Sequence, residues 1–391
     1  MTSDENSIPG AGLVSRSLSG PAAEEIHLQC RPHAGTGGID RQTASVYQSV
    51  AALLRARGGS MKHLLVETVC FRNIHRDYEP YLKARSRSFA LSEGPSALLP
   101  AITCIEQPPL DTDADLVTSA IAVIPRAGLP SGNEPEQPGV RRLLMPGGET
   151  HLFAGGIIGN PGTAYGQSYR MFCRAEEMLL REGMTFQNVV RTWIYLRHME
   201  RDYGEFNRAR REFFHERMVT LLPASTGIYG SPHPHKADFI LGLFAIRSPR
   251  DLEVSTMSTP TLNEACTYGS DFSRGLRVGD ANKTALYISG TASVDEEGRT
   301  AHVEDFDRQV ERMLVNVETL LSAQQAAFAD VLSAVTYLKH AHDAPRFLQL
   351  LRERGLGNLP TTVVHAAVCR PDLLCEMEAI AVRPASEISR A

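Results

Sequence analysis

The sequence predicts an α+β chain of three tandem units, each a mixed sheet with helices on one face. Three observations carry this. Near-repeats surround Pro100, Pro223 and Pro360, in "LLPAITCIEQ" (98–107), "LLPASTGIYG" (221–230) and "NLPTTVVHAA" (358–367). Upstream of each lies a β-rich run, a basic residue with His or Asn, an acidic turn and an amphipathic helix: 63–81, 188–206 and 330–348. Downstream of each lies an apolar strand: "DLVTSAIAV" (115–123), "ADFILGLFAI" (237–246) and "LLCEMEAIAV" (373–382). The prolines are 123 and 137 residues apart, a spacing that suits repeated domains rather than a short-period solenoid.

Within each unit the expected order is strand, strand, helix, strand, helix, strand, strand. The first helix is read at 43–59 in unit one, stopped by Gly58-Gly59. Its counterparts lie at 165–183 and 304–324, where Val310, Met313, Leu314, Val317, Leu320 and Leu321 follow helical spacing. A β-hairpin is expected before each helix, at 141–159 and 284–302, and weakly at 25–38 in unit one. "AGGIIGNPG" (154–162) reads as a tight hairpin turn. Pro/Gly/Ser-rich connectors at 125–139 and 247–260 separate the units. The expected boundaries are a disordered tail over 1–22 and units at 23–124, 140–247 and 262–385.

Of the 391 residues, 42% are hydrophobic and 22% charged, with a net charge of −5. That mild acidity argues against nucleic acid as a partner, because phosphate binding needs a basic surface. No apolar run approaches a membrane span, and no secretory signal is visible at the N-terminus. Seven cysteines, an odd number with no CxxC pair, argue against a disulfide framework or structural zinc. The expectation is a reduced, cytoplasmic protein, monomeric or dimeric. His233 and His235 alternate in "SPHPHKAD" (231–238) without a third ligand in sight, and read as an exposed loop. Neither a nucleophile elbow, a phosphate-binding loop nor a dinucleotide fingerprint occurs. No metal or cofactor is expected.

Glu376 stands out. It lies in an apolar strand between Cys375 and Met377, and alternation puts Glu378 on its face. Aligned strand ends place Val117 and Ile240 at the same position in the other units. A buried carboxyl without a partner is costly and keeps its proton, which suits a general acid. The alternative is a structural ion pair with an arginine. Arg191, inside the apolar "VVRTW", poses the same choice between ligand binding and an ion pair.

This three-fold pattern, with "CRPDLLCEMEAIAV" (369–382) as its best match, resembles the Rid family (YjgF/UK114-like proteins), which implies that three linked units fold as a pseudo-trimer. Units two and three resemble the chorismatases, at "RTWIYL" (191–196), "LPASTGI" (222–228), "YGSDFSRGLRV" (268–278), "SGTASVDEEGRTAH" (289–302) and "CRPDLLCEME" (369–378). The "NPRQ"-like segment before the FSR motif is replaced by "TLNEACTYG" (261–269). The resemblance implies cleavage of chorismate to pyruvate and a hydroxybenzoate or a dihydroxycyclohexadiene acid. It puts Glu376 at the catalytic glutamate. It puts Cys369 at the position that separates the two product types, where cysteine leans toward hydroxybenzoate, and Ala292 at a second discriminating position. Arginines suit a substrate with two carboxylates, because the planar fork binds each with two hydrogen bonds. Arg274 and Arg191 are the candidates, with Lys339 as a further cation and Tyr268 and Ser273 as hydroxyls beside Arg274. Arg370 reads as a solvated loop residue. Rid imine deaminases carry an arginine just after the repeated proline. Those places here hold Ala101, Ala224 and Thr361, which weakens the alternative of a Rid-type hydrolase on another small carboxylated metabolite. A non-catalytic ligand-binding protein is the third reading.

Overall fold

A computed structural model describes residues 12–126, 137–145, 147–233, 236–249, 252–258, 260–263, 271–280 and 283–384. Unit one runs β1 (Leu13–Ser19), β2 (Ala23–Cys30), α1 (Ile39–Ala56), β3 (Leu64–Phe71), α2 (Ile74–Glu93), β4 (Ala101–Glu106) and β5 (Leu116–Pro125). Unit two runs β6 (Val140–Leu144), β7 (Thr150–Ile157), α3 (Ala164–Arg181), β8 (Val189–Leu196), α4 (Met199–Glu216), β9 (Ala224–Tyr229), β10 (Ser231–Pro232) and β11 (Phe239–Arg247). Unit three runs β12 (Glu253–Thr256), β13 (Gly275–Gly279), β14 (Lys283–Ala292), α5 (Phe306–Ser322), β15 (Val331–Leu338), α6 (Ala344–Glu353), β16 (Thr361–His365) and β17 (Cys375–Pro384).

The three sheets share one topology. Their orders are β1-β2-β5-β3-β4-β10, β6-β7-β11-β8-β9 and β12-β13-β14-β17-β15-β16. In each, one parallel pair (β3 with β4, β8 with β9, β15 with β16) closes an otherwise antiparallel sheet. A helix crosses between the members of each parallel pair, as such a connection requires. Local chemistry sets the helix ends. Asn73, Thr163 and Asp305 cap α2, α3 and α5 through their side chains. Gly58, just beyond α1, takes a φ of 78° that favours glycine.

Helices cover the outer face of each sheet over a separate core. The inner faces meet in a fourth, central cluster that draws on all three units: Leu65 and Val123, Phe153 and Phe244, Tyr287 and Ile380. Phe153 stacks on Phe244 at 4.4 Å between centroids, and Phe244 meets Tyr287 at 5.8 Å. Polar contacts close the ring. β10 of unit two pairs with β4 of unit one. Leu110 N donates to Val363 O between units one and three, and Ser273 N to Pro223 O between three and two. This is the pseudo-trimer that the repeats imply.

Five expectations need correction. The segment 13–19, assigned to a disordered tail, is strand β1. Its polar residues hid it, because Ser15, Arg16 and Ser17 are buried; Arg16 donates to Val331 O at 3.0 Å and Asn358 O at 2.8 Å in unit three. The first hairpin is therefore 13–30 and not 25–38. In unit three the hairpin is β13–β14, one strand earlier than expected, and the connector 247–260 supplies β12 to its sheet. The glycines at 155 and 156 end a strand instead of turning a hairpin; a Cβ at Gly155 would stand 2.8 Å from Ile102 O of unit one. His233 is half-buried and stacks on Tyr78 of unit one at 4.0 Å, while His235 lies outside the described residues.

The central cluster predicts a specific cost. Phe244→Ala removes the ring that joins units two and three, and should destabilise the fold by about 3–5 kcal/mol. Denaturant unfolding checks this.

Candidate active site

Strand register confirms the equivalence at Glu376. Tyr337 pairs with Glu376, Tyr195 with Ile240, and Cys70 with Val117. One sheet in three thus carries an acid where the others carry aliphatic core. Glu376 is 5% exposed. Its carboxyl occupies the space above Gly290, where a Cβ would lie 2.0 Å from Oε1. A side chain at 290 would displace the carboxyl from this position.

The carboxyl faces a cleft between units two and three with about 1020 Å³ of empty space, including its open mouth. Unit two supplies Ser225 and Gly227 from β9, and Tyr203, Asn207 and Arg210 from α4. Unit three supplies Gly290 and Ala292 from β14, Cys369, Arg370 and Leu373 from the loop before β17, and Phe272 and Arg274 from the segment before β13. The volume suits a small organic ligand.

Three guanidinium groups line this cleft. Arg274 is anchored through Nε to Asn263 O at 2.8 Å. Arg210 donates to Asn207 Oδ1 at 2.8 Å and lies over the Phe206 and Phe272 rings at 5.0 and 5.4 Å. Arg370 donates to Gly298 O at 2.6 Å. Side chains held this way lose little freedom when they bind an anion.

Burial pushes the Glu376 carboxyl up to about 8, aided by the nearby Glu378 charge and opposed by Arg274 and Arg191. No described residue donates a hydrogen bond to it. The acid is protonated at neutral pH and can give a proton to a ligand in the cleft. Burial, then the neighbouring Glu376, raises the Cys369 thiol to about 12. Cys369 is therefore a neutral wall of the site and not a thiolate nucleophile.

The structure brings Glu376, Cys369, Arg274 and Ala292 together. It places three other expected site residues elsewhere. Arg191 is 1% exposed and donates through Nη2 to Glu378 Oε2 at 2.8 Å and Thr226 Oγ1 at 2.6 Å. It faces a space of about 820 Å³ between the sheets, open solvent included, and makes the ion pair that the sequence left as an alternative. Lys339, beyond the end of β15, turns away to donate to Pro371 O. Ser273 sits behind the wall, its backbone bridging to Ala224. Tyr268 lies outside the described residues. Among the described residues no group of three or more His, Cys, Asp or Glu could hold a metal, and no helix is long and apolar enough to cross a membrane.

Sequence reasoning missed Arg210 and misread Arg370 as solvated. A signal for Arg210 existed: it falls on the apolar stripe of α4, between Phe206 and Phe213. Its counterpart in α2, Arg85, is paired with the buried Glu67. The strand position of Glu67 holds Thr192 in unit two, and Arg210 faces the cleft instead.

Residues 269–383 match the family Endoribonuclease L-PSP. A 3-hydroxybenzoate synthase of Streptomyces hygroscopicus is 28% identical over 231 residues, a match covering 51% of this chain and 65% of that protein, so less than two thirds of the relative is spanned. A crystal structure of a chorismatase superposes with a TM-score of 0.64 at 15% identity, covering 93% of this chain and all of the other. A YjgF/YER057c/UK114-family protein of Mycobacterium tuberculosis aligns at 21% identity with 32% of this chain and 97% of its own, with a TM-score of 0.26. The family match is confined to the third unit, and the three-unit fold of the chain is like that of a chorismatase.

The raised carboxyl makes stability depend on pH. The unfolded chain releases this proton near 4.5, the folded one only near 8. Stability is therefore full below the lower value and falls as pH rises through the window. Glu376→Gln should match the wild type at about pH 4 and exceed it by roughly a few kcal/mol above about pH 8. Thermal melts across that range test the sign.

Proposed function

We propose that this protein cleaves chorismate to pyruvate and a hydroxybenzoate in the cleft between units two and three. The observation that carries the reading is a buried, protonated carboxyl opposite three anchored arginines, in a cleft of small-molecule size. The resemblance to the 3-hydroxybenzoate synthase and the chorismatase fold support the substrate.

Chorismate carries a ring carboxylate and an enolpyruvyl carboxylate. Arg274, Arg210 and Arg370 bind these two groups and set the enolpyruvyl methylene against Glu376. Glu376 protonates that methylene carbon. The bond between ring carbon and ether oxygen breaks, its electron pair forms the keto group, and pyruvate leaves. The ring then gives up a proton and becomes aromatic. One proton enters and one leaves, so no net water is consumed and Glu376 is restored. Addition of water to the ring would give a dihydroxycyclohexadiene acid instead. Cys369, larger than alanine and uncharged, fills the wall near the acid and favours the dry outcome.

Incubation with chorismate, followed by chromatography of pyruvate and the ring product, tests this. Pyruvate with a hydroxybenzoate is expected. Glu376→Gln should lower turnover by roughly 10²–10⁴-fold with the fold intact, the scale of a lost general acid. Arg274→Ala and Arg210→Ala should each raise KM by about 10-fold or more, from the loss of a charge-assisted hydrogen bond. No pyruvate from folded wild-type protein would remove the chorismate assignment.

A further inference from the structure

We infer that Glu378, held ionised by Arg191 and Trp193, is a positioning residue that keeps its neighbour Glu376 in the proton-bearing form. The inference rests on the reading of Glu376 as the acid, and it assigns a role to a buried pair outside the cleft.

Donor chemistry fixes which acid is charged. Glu378 Oε2 accepts from Arg191 Nη2 at 2.8 Å, and Oε1 from Trp193 Nε1 at 3.0 Å. Guanidinium and indole only donate, so neither offers an acceptor to a proton on Glu378. Both oxygens accept from donors that cannot accept in return, an arrangement that favours the carboxylate. Glu376, two residues away on the same strand face, has no such donor among the described residues. A charge on one buried carboxyl opposes a charge on the other. The one with donors takes the charge, and the other keeps the proton.

The same guanidinium reaches the acid by a second route. Arg191 Nη2 donates to Thr226 Oγ1 at 2.6 Å, and Thr226 Oγ1 also accepts from Gly290 N at 3.1 Å. Gly290 is the residue whose missing side chain makes room for the Glu376 carboxyl. One buried arginine thus ties together the second carboxylate and the strand that borders the acid.

Comparison of the three units shows that these residues occur as a set. In register, Glu378 corresponds to Gly242 and Ser119, and Glu376 to Ile240 and Val117. Arg191 corresponds to Val66 and Ser333 in the aligned strands β3 and β15. The second acid appears only in the unit that has the first. The arginine appears only in the unit across that interface. An ion pair kept simply for stability would not need to track the acid.

The titratable groups that interact electrostatically with Glu376 are Glu378 from its own strand, Arg191 from β8, Arg274 from the segment before β13, and Cys369 from the loop before β17. Arg210 and Arg370 stand farther out on the cleft wall. Cys70, Tyr195 and Tyr337 face Glu378, and all three are held in their neutral forms by burial, then by charges that include Glu378. Among the described residues Glu378 is the acid that acts on Glu376, and its effect there outweighs that of Arg191.

The test is the pH profile of pyruvate release from chorismate by the full chain, with a ¹³C-carboxyl NMR titration of Glu376 beside it. In Glu378→Gln the alkaline limb of kcat should move down by about one pH unit or more, near a tenfold loss on that limb. Activity below about pH 6 should be retained. The NMR midpoint of Glu376 should fall with it. Glu378→Asp, which keeps the charge, should restore the position of the limb. If Glu378→Gln fails to fold, R191M/E378L removes both charges without stranding either, and its Glu376 midpoint should again fall below wild type. An unchanged midpoint, or a loss of activity equal at every pH, overturns the inference. If wild-type protein releases no pyruvate, the reaction reading fails, while the NMR midpoint still decides the role of Glu378.

Discussion

A carboxyl group withdrawn from water without a hydrogen-bond donor is stable only when it holds its proton, and the site follows from that constraint. Glu376 sits on a central strand where its two counterparts are valine and isoleucine. The cost of burying it is limited by protonation, and protonation is the property that a proton donor needs. Gly290 makes the space, Glu378 takes the nearby negative charge, and Arg191 neutralises that charge. The arginines of the cleft stand beyond the carboxyl, where they meet an anionic ligand.

Three similar units have yielded one cleft in which Glu376 meets arginines. At the junction of units two and one, Gly155 packs on the Ile102 backbone, and Gly156 N donates to Thr103 Oγ1. At the junction of units one and three, Gln29 fills the space and donates to Ala334 O at 2.9 Å, while His27 bonds Ser333. These contacts bridge two interfaces that also border the space beside Arg191. Among the described residues, an acid without a hydrogen-bond donor faces three arginines in the cleft between units three and two. Linking the units in one chain made this asymmetry possible, because each position of the repeat can change alone.

Much of this was legible in the sequence. The repeated prolines and their flanking strands gave three units because each repeat builds the same parallel pair and crossover helix. Comparing units with each other exposed Glu376, since an acid in an apolar strand stands out only against its counterparts. The failures have a common cause: partners distant in sequence. Arg191 looked like a ligand because Glu378 lies 187 residues away. Strand β1 looked disordered because its polar side chains bond backbone of unit three. Arg210 escaped notice because a helix arginine is ordinarily solvated, and only the three-dimensional arrangement shows its stripe turned toward a cleft.

The central claim is that Glu376 is a neutral acid at physiological pH. Infrared titration of the protonated carboxyl band, wild type minus Glu376→Gln, measures this without any substrate. The account predicts a band that persists through neutrality and is lost at about pH 8. A band lost near 4.5, the ordinary glutamate value, would contradict it and leave the cleft without its proton donor.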